Sequence, residues 1–219
     1  MDYRLAVFDL DGTILDTLGD LHMSVNYALA AENLPRRTLE EVREDVGNGI
    51  RNLISRSVPG GTDPTLEEKV FREFRSHYSR HCMDLTRPYD DIKSVLLMLK
   101  HIGVKLAVVS NKADAPVQKL CTHFFDGIFD ITVGEREGIR RKPAPDSVFS
   151  VCRQLSMDPV EGVYIGDSDV DIRTAQNAGM DSISVSWGFR DEKFLLENEA
   201  QSIAREPKDL LRMIVGRLS

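Results

Sequence analysis

The stretch "VFDLDGTILDT", residues 7–17, closes an apolar run with two carboxylates, Asp9 and Asp11, and a glycine and a threonine follow at once. The run that leads into them, "RLAVFDL" (4–10), has the composition of a buried β-strand. Carboxylates crowded at the end of a strand repel each other unless a cation lies between them. The stretch therefore predicts a core strand that delivers acidic groups to a cation site.

Strand-like runs recur along the chain, and segments with a helical period separate most of them. The other strand-like runs are "KLAVVS" (105–110), "ITVG" (131–134), "GVYIGD" (162–167) and "SISVS" (182–186). The clearest helical segments are "DIKSVLLMLKHIG" (91–103), "APDSVFSVCRQL" (144–155) and "DVDIRTAQNAG" (169–179). This alternation is typical of a parallel sheet covered by helices on both faces. We therefore predict an α/β fold with a Rossmann-like, doubly wound parallel sheet.

The stretch from about 16 to 86 interrupts this alternation, because it contains no strand-like run and is too long for a loop. Its helix-like segments are "LGDLHMSVNYALAAEN" (18–33), "TLEEVREDV" (38–46), "IRNLISRSV" (50–58) and "TLEEKVFREFRSHYSRHCM" (65–83). We predict an all-α domain at 16–86 inserted into a core domain of 1–15 and 87–219. The charged tail from 191 is expected to add one or two terminal helices.

Composition narrows the class of protein. The chain has 219 residues with 42% hydrophobic content, which is enough for a sizeable core. Its 28 basic and 35 acidic residues give a net charge of −7 without a basic block, so we expect no nucleic-acid partner and no membrane. Cys82, Cys121 and Cys152 are odd in number and widely spaced, which favours reduced thiols in a cytoplasmic protein. A signal-peptide pattern and a long apolar run are both lacking, which favours the same location.

Polar residues follow several of the predicted strands. In open parallel sheets, ligands bind at the carboxyl ends of the strands. The residues expected at that edge are Asp9, Asp11, Ser110, Asn111, Lys142 and Asp167, with Asp169 and Asp171 just beyond. Each has an ordinary alternative, since an aspartate or serine at a strand end often caps the next helix and a lysine is often solvated. Together, however, the carboxylates suit Mg²⁺, and the serine and lysine provide donors for a phosphate.

The stretches "DLDGT", "SNK", "KPAP" and "GDSDVD", in this order, resemble the four motifs of the haloacid dehalogenase superfamily of phosphohydrolases. The helical insertion after the first motif resembles the cap domain of that family, so the resemblance covers nearly the whole chain. It implies a Mg²⁺-dependent phosphatase that hydrolyses a small phosphomonoester through an aspartyl-phosphate intermediate. Cap closure about hinges near residues 16–18 and 84–88 would exclude water from the phosphoenzyme.

The resemblance also implies a role for each motif residue. Asp9 would be the nucleophile, and Asp11 would protonate the leaving oxygen and then activate water. Ser110 and the backbone amide of Asn111 would bind the phosphoryl oxygens, while Lys142 would neutralise charge. The implied metal ligands are Asp9, Asp11 through its backbone carbonyl, Asp167, and Asp171 through a water.

Other stretches resemble the phosphoglycolate phosphatase branch of the family: "RPYDDIKSVLLMLKHIG" (87–103), "SWGFR" (186–190) and "VGNGIRNLI" (46–54). In the last of these, Gly47 and Gly49 permit close backbone approach, and Arg51 is a candidate partner for a substrate carboxylate. A solvated Arg51 is the open alternative. Asp11 argues against a dehalogenase, and a cap whose only lysine is Lys69 argues against a phosphonate hydrolase.

Two other functions remain open from the sequence. A β-phosphoglucomutase-like phosphomutase shares the core and the cap, and only cap contacts separate it from a phosphatase. A response-regulator receiver, which is a binding switch, also joins aspartates, a hydroxyl and a lysine around Mg²⁺. A receiver has no helical insertion, however, so the stretch 16–86 counts against it.

Overall fold

The computed structural model describes residues 3–47 and 49–216. Its strands, in chain order, are β1 (Leu5–Phe8), β2 (Leu15–Asp16), β3 (Arg87–Pro88), β4 (Lys105–Ala113), β5 (Ile131–Glu135), β6 (Gly162–Gly166), β7 (Asp181–Val185) and β8 (Ile203–Ala204). Six of them form one parallel sheet in the order β5-β4-β1-β6-β7-β8, and β2 pairs with β3 in a separate two-stranded sheet.

The helices alternate with these strands except in one long run. They are α1 (Leu18–Ala31), α2 (Leu39–Asp45), α3 (Ile50–Ser57), α4 (Pro64–His81), α5 (Ile92–His101), α6 (Asp114–Phe125), α7 (Asp146–Leu155), α8 (Asp169–Ala178), α9 (Glu192–Glu197) and α10 (Pro207–Val215). The predicted α/β fold with a parallel sheet is confirmed. The tail contains α9 and α10 as expected, together with the short strand β8, and its last three residues lie outside the described part of the chain.

Strand β1 lies in the middle of the sheet, and its last residue is in register with residues of both neighbouring strands. It pairs with β4 on one side and β6 on the other, and all four of its residues are buried, so the side chains on both faces of the sheet are covered. This explains why the run is continuously apolar. Phe8 is in register with Val108 of β4 and Ile165 of β6. The residues that follow these three positions therefore reach the same edge of the sheet, at the point where the strand order reverses.

The described chain divides into two compact units, residues 1–15 with 88–219 and residues 16–87. The second unit holds α1 to α4, and Val25, Leu29, Ile54 and Phe74 are among its fully buried residues. Helix α2 starts with a reciprocal capping box, in which Thr38 and Glu41 each accept a hydrogen bond from the other's backbone N–H. That this unit works as a cap stays a prediction.

Asp20 fastens α1 to the end of the second unit. Its carboxylate is fully buried and accepts hydrogen bonds from Leu85 N at 2.9 Å, Thr86 N at 2.9 Å and Thr86 Oγ1 at 2.7 Å. These donors satisfy the oxygens of a charge that has no access to water. The contact fixes the segment that returns from the second unit to the sheet.

Replacing Asp20 with alanine leaves two backbone N–H groups and a hydroxyl without their acceptor. We expect a loss of about 3 kcal/mol in the free energy of unfolding, measured by denaturant titration of the whole chain. Glu40→Ala is the matched control in the same unit, because Glu40 is 63% exposed and only pairs with Arg43. It should cost less than about 1 kcal/mol. Equal losses for the two variants would contradict the role given to Asp20.

The structure also describes the three cysteines, which were expected to be reduced thiols, and the helices, of which none was expected to cross a membrane. Cys82, Cys121 and Cys152 are buried and form no disulfide. Burial and, secondarily, Asp11 raise the pKa of the Cys121 thiol to about 12, so this group stays protonated at neutral pH. Among the described residues, no helix combines the length and the apolar content that a bilayer crossing requires.

Candidate active site

The first motif turns sharply after β1. Asp9 N donates to Ile165 O at 2.9 Å, which ties the start of the turn to β6. Gly12 then adopts a φ of +82°, and a Cβ at this position would overlap the carboxylate of Asp167. Only glycine combines that backbone conformation with so close an approach. The turn thereby brings the first motif against the motif that follows β6.

Lys142 joins two of the carboxylates. Its Nζ lies 3.0 Å from Asp9 Oδ1 and donates to Asp171 Oδ1 at 2.7 Å, and the side chain is buried. Asn111 positions this lysine, because Asn111 Nδ2 donates to Lys142 O at 3.1 Å and Asn111 Oδ1 accepts from Lys142 N at 2.8 Å. The amide side chain of Asn111 is thus engaged with protein backbone.

Asp167 and Asp171 are held by the segments around them. Asp167 accepts from Phe189 N at 2.8 Å and from Thr13 Oγ1 at 3.3 Å. Asp171 Oδ2 accepts from the backbone N–H and the hydroxyl of Ser168, at 3.2 and 2.7 Å. These contacts fix each carboxylate and leave Asp167 and Asp171 facing Asp9.

The segment "SWGFR" (186–190) also contacts these residues, a role that its sequence does not predict. Trp187 Nε1 donates to Thr13 O at 3.0 Å, and Phe189 N donates to the carboxylate of Asp167. A Cβ at Gly188 would overlap the side chain of Asp167. The segment therefore packs directly on the acidic cluster.

Carboxylate oxygens of Asp9, Asp167 and Asp171 lie within 4.8 Å of one another. Burial raises the pKa of Asp9 to about 6 and that of Asp167 to about 8, and repulsion from neighbouring carboxylates adds to both shifts. Although burial alone would lower the pKa of Lys142, Asp171 and Asp9 raise it well above its usual value. One ammonium thus faces three carboxylates. The donor set, all oxygen and short of positive charge, fits a hard divalent cation.

The carboxylate of Asp11 lies outside this cluster and has its own partner. Lys112 Nζ donates to Asp11 Oδ1 at 2.8 Å and to Oδ2 at 3.0 Å. The Lys112 side chain is 3% exposed and that of Asp11 16%. Lys112 is the last residue of the "SNK" motif, and the motif resemblance predicts no role for it. The regular alternation of a strand does not predict this contact, because the register of β4 against β5 shifts between Val109 and Ala113.

Ser110 and Asn111 lie within β4 and not at its end, because the strand continues to Ala113, which is in register with Glu135 of β5. The predicted end at residue 110 was therefore three residues short. Ser110 is buried, and its Oγ accepts from Lys112 N at 3.3 Å. Asp169 stands apart from the acidic cluster and pairs with Arg173 at 3.3 Å.

Arg51 belongs to the second unit and lies in the first turn of α3. Its Nη1 donates to Glu68 Oε2 at 2.7 Å, and the guanidinium carbon lies 4.0 Å from the centre of the Phe71 ring. The side chain is nevertheless 61% exposed. In the glycine loop before it, Gly47 and Gly49 have φ values of +124° and +81°, while Asn48 lies outside the described residues.

The carboxyl edge of the parallel sheet thus brings together carboxylates, a lysine and a serine, which is a set of groups suited to a cation and an anionic ligand. The family model of haloacid dehalogenase-like hydrolases matches residues 6–185. The chain therefore belongs to the haloacid dehalogenase-like hydrolases, as the four motifs predicted.

Relatives and solved structures agree with this assignment. The chain is 31% identical over 220 residues to a phosphoglycolate phosphatase from Mannheimia succiniciproducens, covering 97% of this chain and 98% of the relative. It is 34% identical over 198 residues to one from Psychrobacter arcticus, with 86% of each covered. A crystal structure of a proposed phosphoglycolate phosphatase from Lactobacillus delbrueckii subsp. bulgaricus superposes with a TM-score of 0.94 at 38% identity, covering 99% of this chain and 100% of that one. The predicted resemblance to this branch is confirmed.

Proposed function

We propose that the protein hydrolyses 2-phosphoglycolate to glycolate and phosphate, with Mg²⁺ as the metal and Asp9 as the nucleophile. That the chain is a phosphatase acting on a small phosphate ester, with a divalent metal as in its family, follows from the family and from its phosphatase relatives. The observation that carries the mechanism is the cluster of Asp9, Asp167 and Asp171 around the buried Lys142. The substrate rests on the relatives, which are phosphoglycolate phosphatases.

In the proposed mechanism, Asp9 is the nucleophile and Asp11 transfers the protons. A carboxylate oxygen of Asp9 attacks phosphorus, the bond from phosphorus to the ester oxygen breaks, and Asp11 gives its proton to that oxygen as glycolate leaves. Water then attacks the phosphorus of the aspartyl-phosphate and gives a proton to Asp11. This second step releases phosphate and restores the Asp9 carboxylate.

Lys142 and Ser110 serve the phosphoryl group. The Lys142 ammonium, fixed through the backbone by Asn111, keeps a positive charge beside Asp9, where the negative phosphoryl oxygens arrive. The Ser110 hydroxyl and the backbone amide of Asn111 donate to those oxygens in this proposal. Because these groups are buried, their interactions with the transferring group are strong.

The residues proposed to hold Mg²⁺ are Asp9 and Asp167 through their carboxylates, Asp11 through its backbone carbonyl, and Asp171 through a water. When bound, the ion would offset the charge of the carboxylates and of the phosphoryl group. Asp171 suits an indirect role, because Lys142 and Ser168 already occupy its two oxygens.

A substrate screen tests the proposal. Phosphate release is measured with Mg²⁺ over 2-phosphoglycolate, sugar phosphates, nucleotides and pyrophosphate, and conversion between sugar phosphate isomers is assayed beside it. We expect the highest kcat/KM for 2-phosphoglycolate. A protein that interconverts sugar phosphates without net release is a phosphomutase, and one that is phosphorylated without turnover is a receiver-like switch. Either result would replace the proposal.

Arg51 as a ligand of the substrate carboxylate also stays a proposal. A guanidinium that clamps a carboxylate inside a closed site contributes about 2 kcal/mol or more, which corresponds to about a 30-fold change in kcat/KM. Its pairing with Glu68 means that the substrate must share or displace that partner. We therefore expect Arg51→Ala to lower kcat/KM for 2-phosphoglycolate by about this factor and to leave an aryl phosphate nearly unaffected.

Glu68→Gln is the matched control for Arg51, because it weakens the ion pair and keeps the guanidinium. It should maintain or raise kcat/KM for 2-phosphoglycolate if Arg51 serves the substrate. Equal losses for both substrates in Arg51→Ala would assign Arg51 to the packing of its own unit. Unchanged kinetics would mean that Arg51 is a solvated surface residue without a role in substrate binding.

The cytoplasmic location of the protein likewise stays a prediction.

A further inference from the structure

Two buried lysines lie at the carboxyl edge of the sheet, and the mechanism above uses one of them. Lys142 is shared between Asp9 and Asp171. Lys112, which is equally inaccessible to solvent, contacts both oxygens of Asp11. A buried ammonium loses hydration that only close anionic or polar partners replace. The second lysine therefore calls for an explanation beyond folding.

The position of Lys112 beside Asp11 places it close to where the leaving group would bind. Asp11 is the proposed proton donor to the ester oxygen, so the leaving group lies against Asp11 when the bond breaks. Lys112 Nζ is 2.8 and 3.0 Å from the Asp11 oxygens, so it is adjacent to the atoms next to that ester oxygen. In 2-phosphoglycolate, a single carbon separates the ester oxygen from the carboxylate carbon. A carboxylate so placed falls within reach of the ammonium.

We propose that Lys112 is a specificity-determining residue that binds the carboxylate of the leaving group while it pairs with Asp11. This inference rests on the proposed function and names a group that would select its substrate. The class of preferred substrate is a phosphate ester with a carboxylate on the carbon next to the ester oxygen. A burial of 97% makes the ammonium more selective than an exposed one, because water does not compete for it.

The alternative is that Lys112 only holds Asp11 in position. Both roles predict a loss of activity when the ammonium is removed, but they differ in which substrates are affected. A lysine that only positions Asp11 serves every phosphate ester equally. A lysine that binds the carboxylate serves only substrates that carry one.

The test compares 2-phosphoglycolate with 2-hydroxyethyl phosphate, which replaces the carboxylate with a neutral hydroxymethyl group. The ratio of the two kcat/KM values is measured for the wild type and for Lys112→Met. We expect the variant to lower this ratio by about 10- to 100-fold, beyond any loss common to both substrates. Lys112→Arg, which keeps a cation, should retain most of the ratio.

Lys105→Met is the matched control, since Lys105 begins the same strand, is 52% exposed and pairs with Asp130. It should leave the ratio unchanged. Circular dichroism and thermal melting check that Lys112→Met is folded. If it is not, Lys112→Gln, whose amide can still donate to Asp11, takes its place.

The outcomes separate this inference from the proposed function. An unchanged ratio in Lys112→Met, whether both substrates lose activity equally or neither does, overturns the role of Lys112 and leaves the phosphatase proposal standing. A wild type that hydrolyses other esters but not 2-phosphoglycolate overturns the proposed substrate. The ratio is then measured with phospholactate and its neutral alcohol analogue, and a wild type without preference for the carboxylate overturns the inference as well.

Discussion

Asp9→Asn should lose its turnover of every phosphate ester, by about 10⁴-fold or more in kcat. The amide keeps the shape of the side chain but has no anionic oxygen to attack phosphorus. The fold should survive, because burial and neighbouring carboxylates already disfavour the charged form of Asp9 and raise its pKa to about 6. Without metal, we expect the melting temperature of the variant to equal or exceed that of the wild type.

Asp169→Asn is the matched control for this variant. Asp169 follows β6 in the same acidic stretch as Asp167 and Asp171, but it pairs with Arg173 outside the cluster. Its substitution should leave kcat within a few-fold of the wild-type value, while Asp9→Asn falls to background. Near-normal phosphate release by Asp9→Asn would remove Asp9 from the mechanism.

Removal of divalent metal should abolish turnover, and added Mg²⁺ should restore it. Three carboxylates, of which those of Asp167 and Asp171 are buried, face one lysine, so the site lacks the positive charge it needs until a cation binds. Ca²⁺ should restore much less activity, since its longer and looser coordination would misplace Asp9. The measurement is phosphate release in excess chelator, followed by titration with each ion.

Stability gives an independent readout of the same site. Mg²⁺ at about 100 times its Kd should add about 2.7 kcal/mol to the free energy of unfolding. The gain should shrink in Asp167→Asn, which removes a proposed ligand and its charge. Full activity in excess chelator, or the same stabilisation by Mg²⁺ in wild type and variant, would contradict a metal site at these residues.

The parallel sheet could be predicted because its central strand is buried on both faces. That environment makes "LAVF" of β1 continuously apolar, and the side chains that follow it carry the first motif. The end of β4 was harder to predict. "SNKA" is polar and does not resemble a strand, yet β4 continues through it, because Ala113 pairs with Glu135 of β5 beyond a shift of register after Val109. Pairing with a distant strand leaves little local signal.

The chemical types of the motif residues predicted a site. The hydrogen-bond and ion-pair partners of these residues could be identified only from the folded structure. Phe189 contributes to the site through its backbone N–H, which donates to Asp167 and which any residue except proline would offer. The ion pair from Arg51 to Glu68 joins two helices, α3 and α4, whose packing the sequence pattern does not specify. A lysine in a short motif is ordinarily solvated, so the sequence does not indicate that Lys112 is buried against Asp11.

The central claim is that phosphoryl transfer passes through Asp9, and trapping the phosphoenzyme tests it most directly. Enzyme mixed with 2-phosphoglycolate and Mg²⁺ is quenched at short times and treated with borohydride, which reduces an acyl phosphate to the alcohol, and the peptides are sequenced by mass spectrometry. We predict homoserine at position 9, dependent on both substrate and Mg²⁺. Homoserine at another aspartate, or unmodified Asp9 at every quench time while phosphate accumulates, would contradict the account.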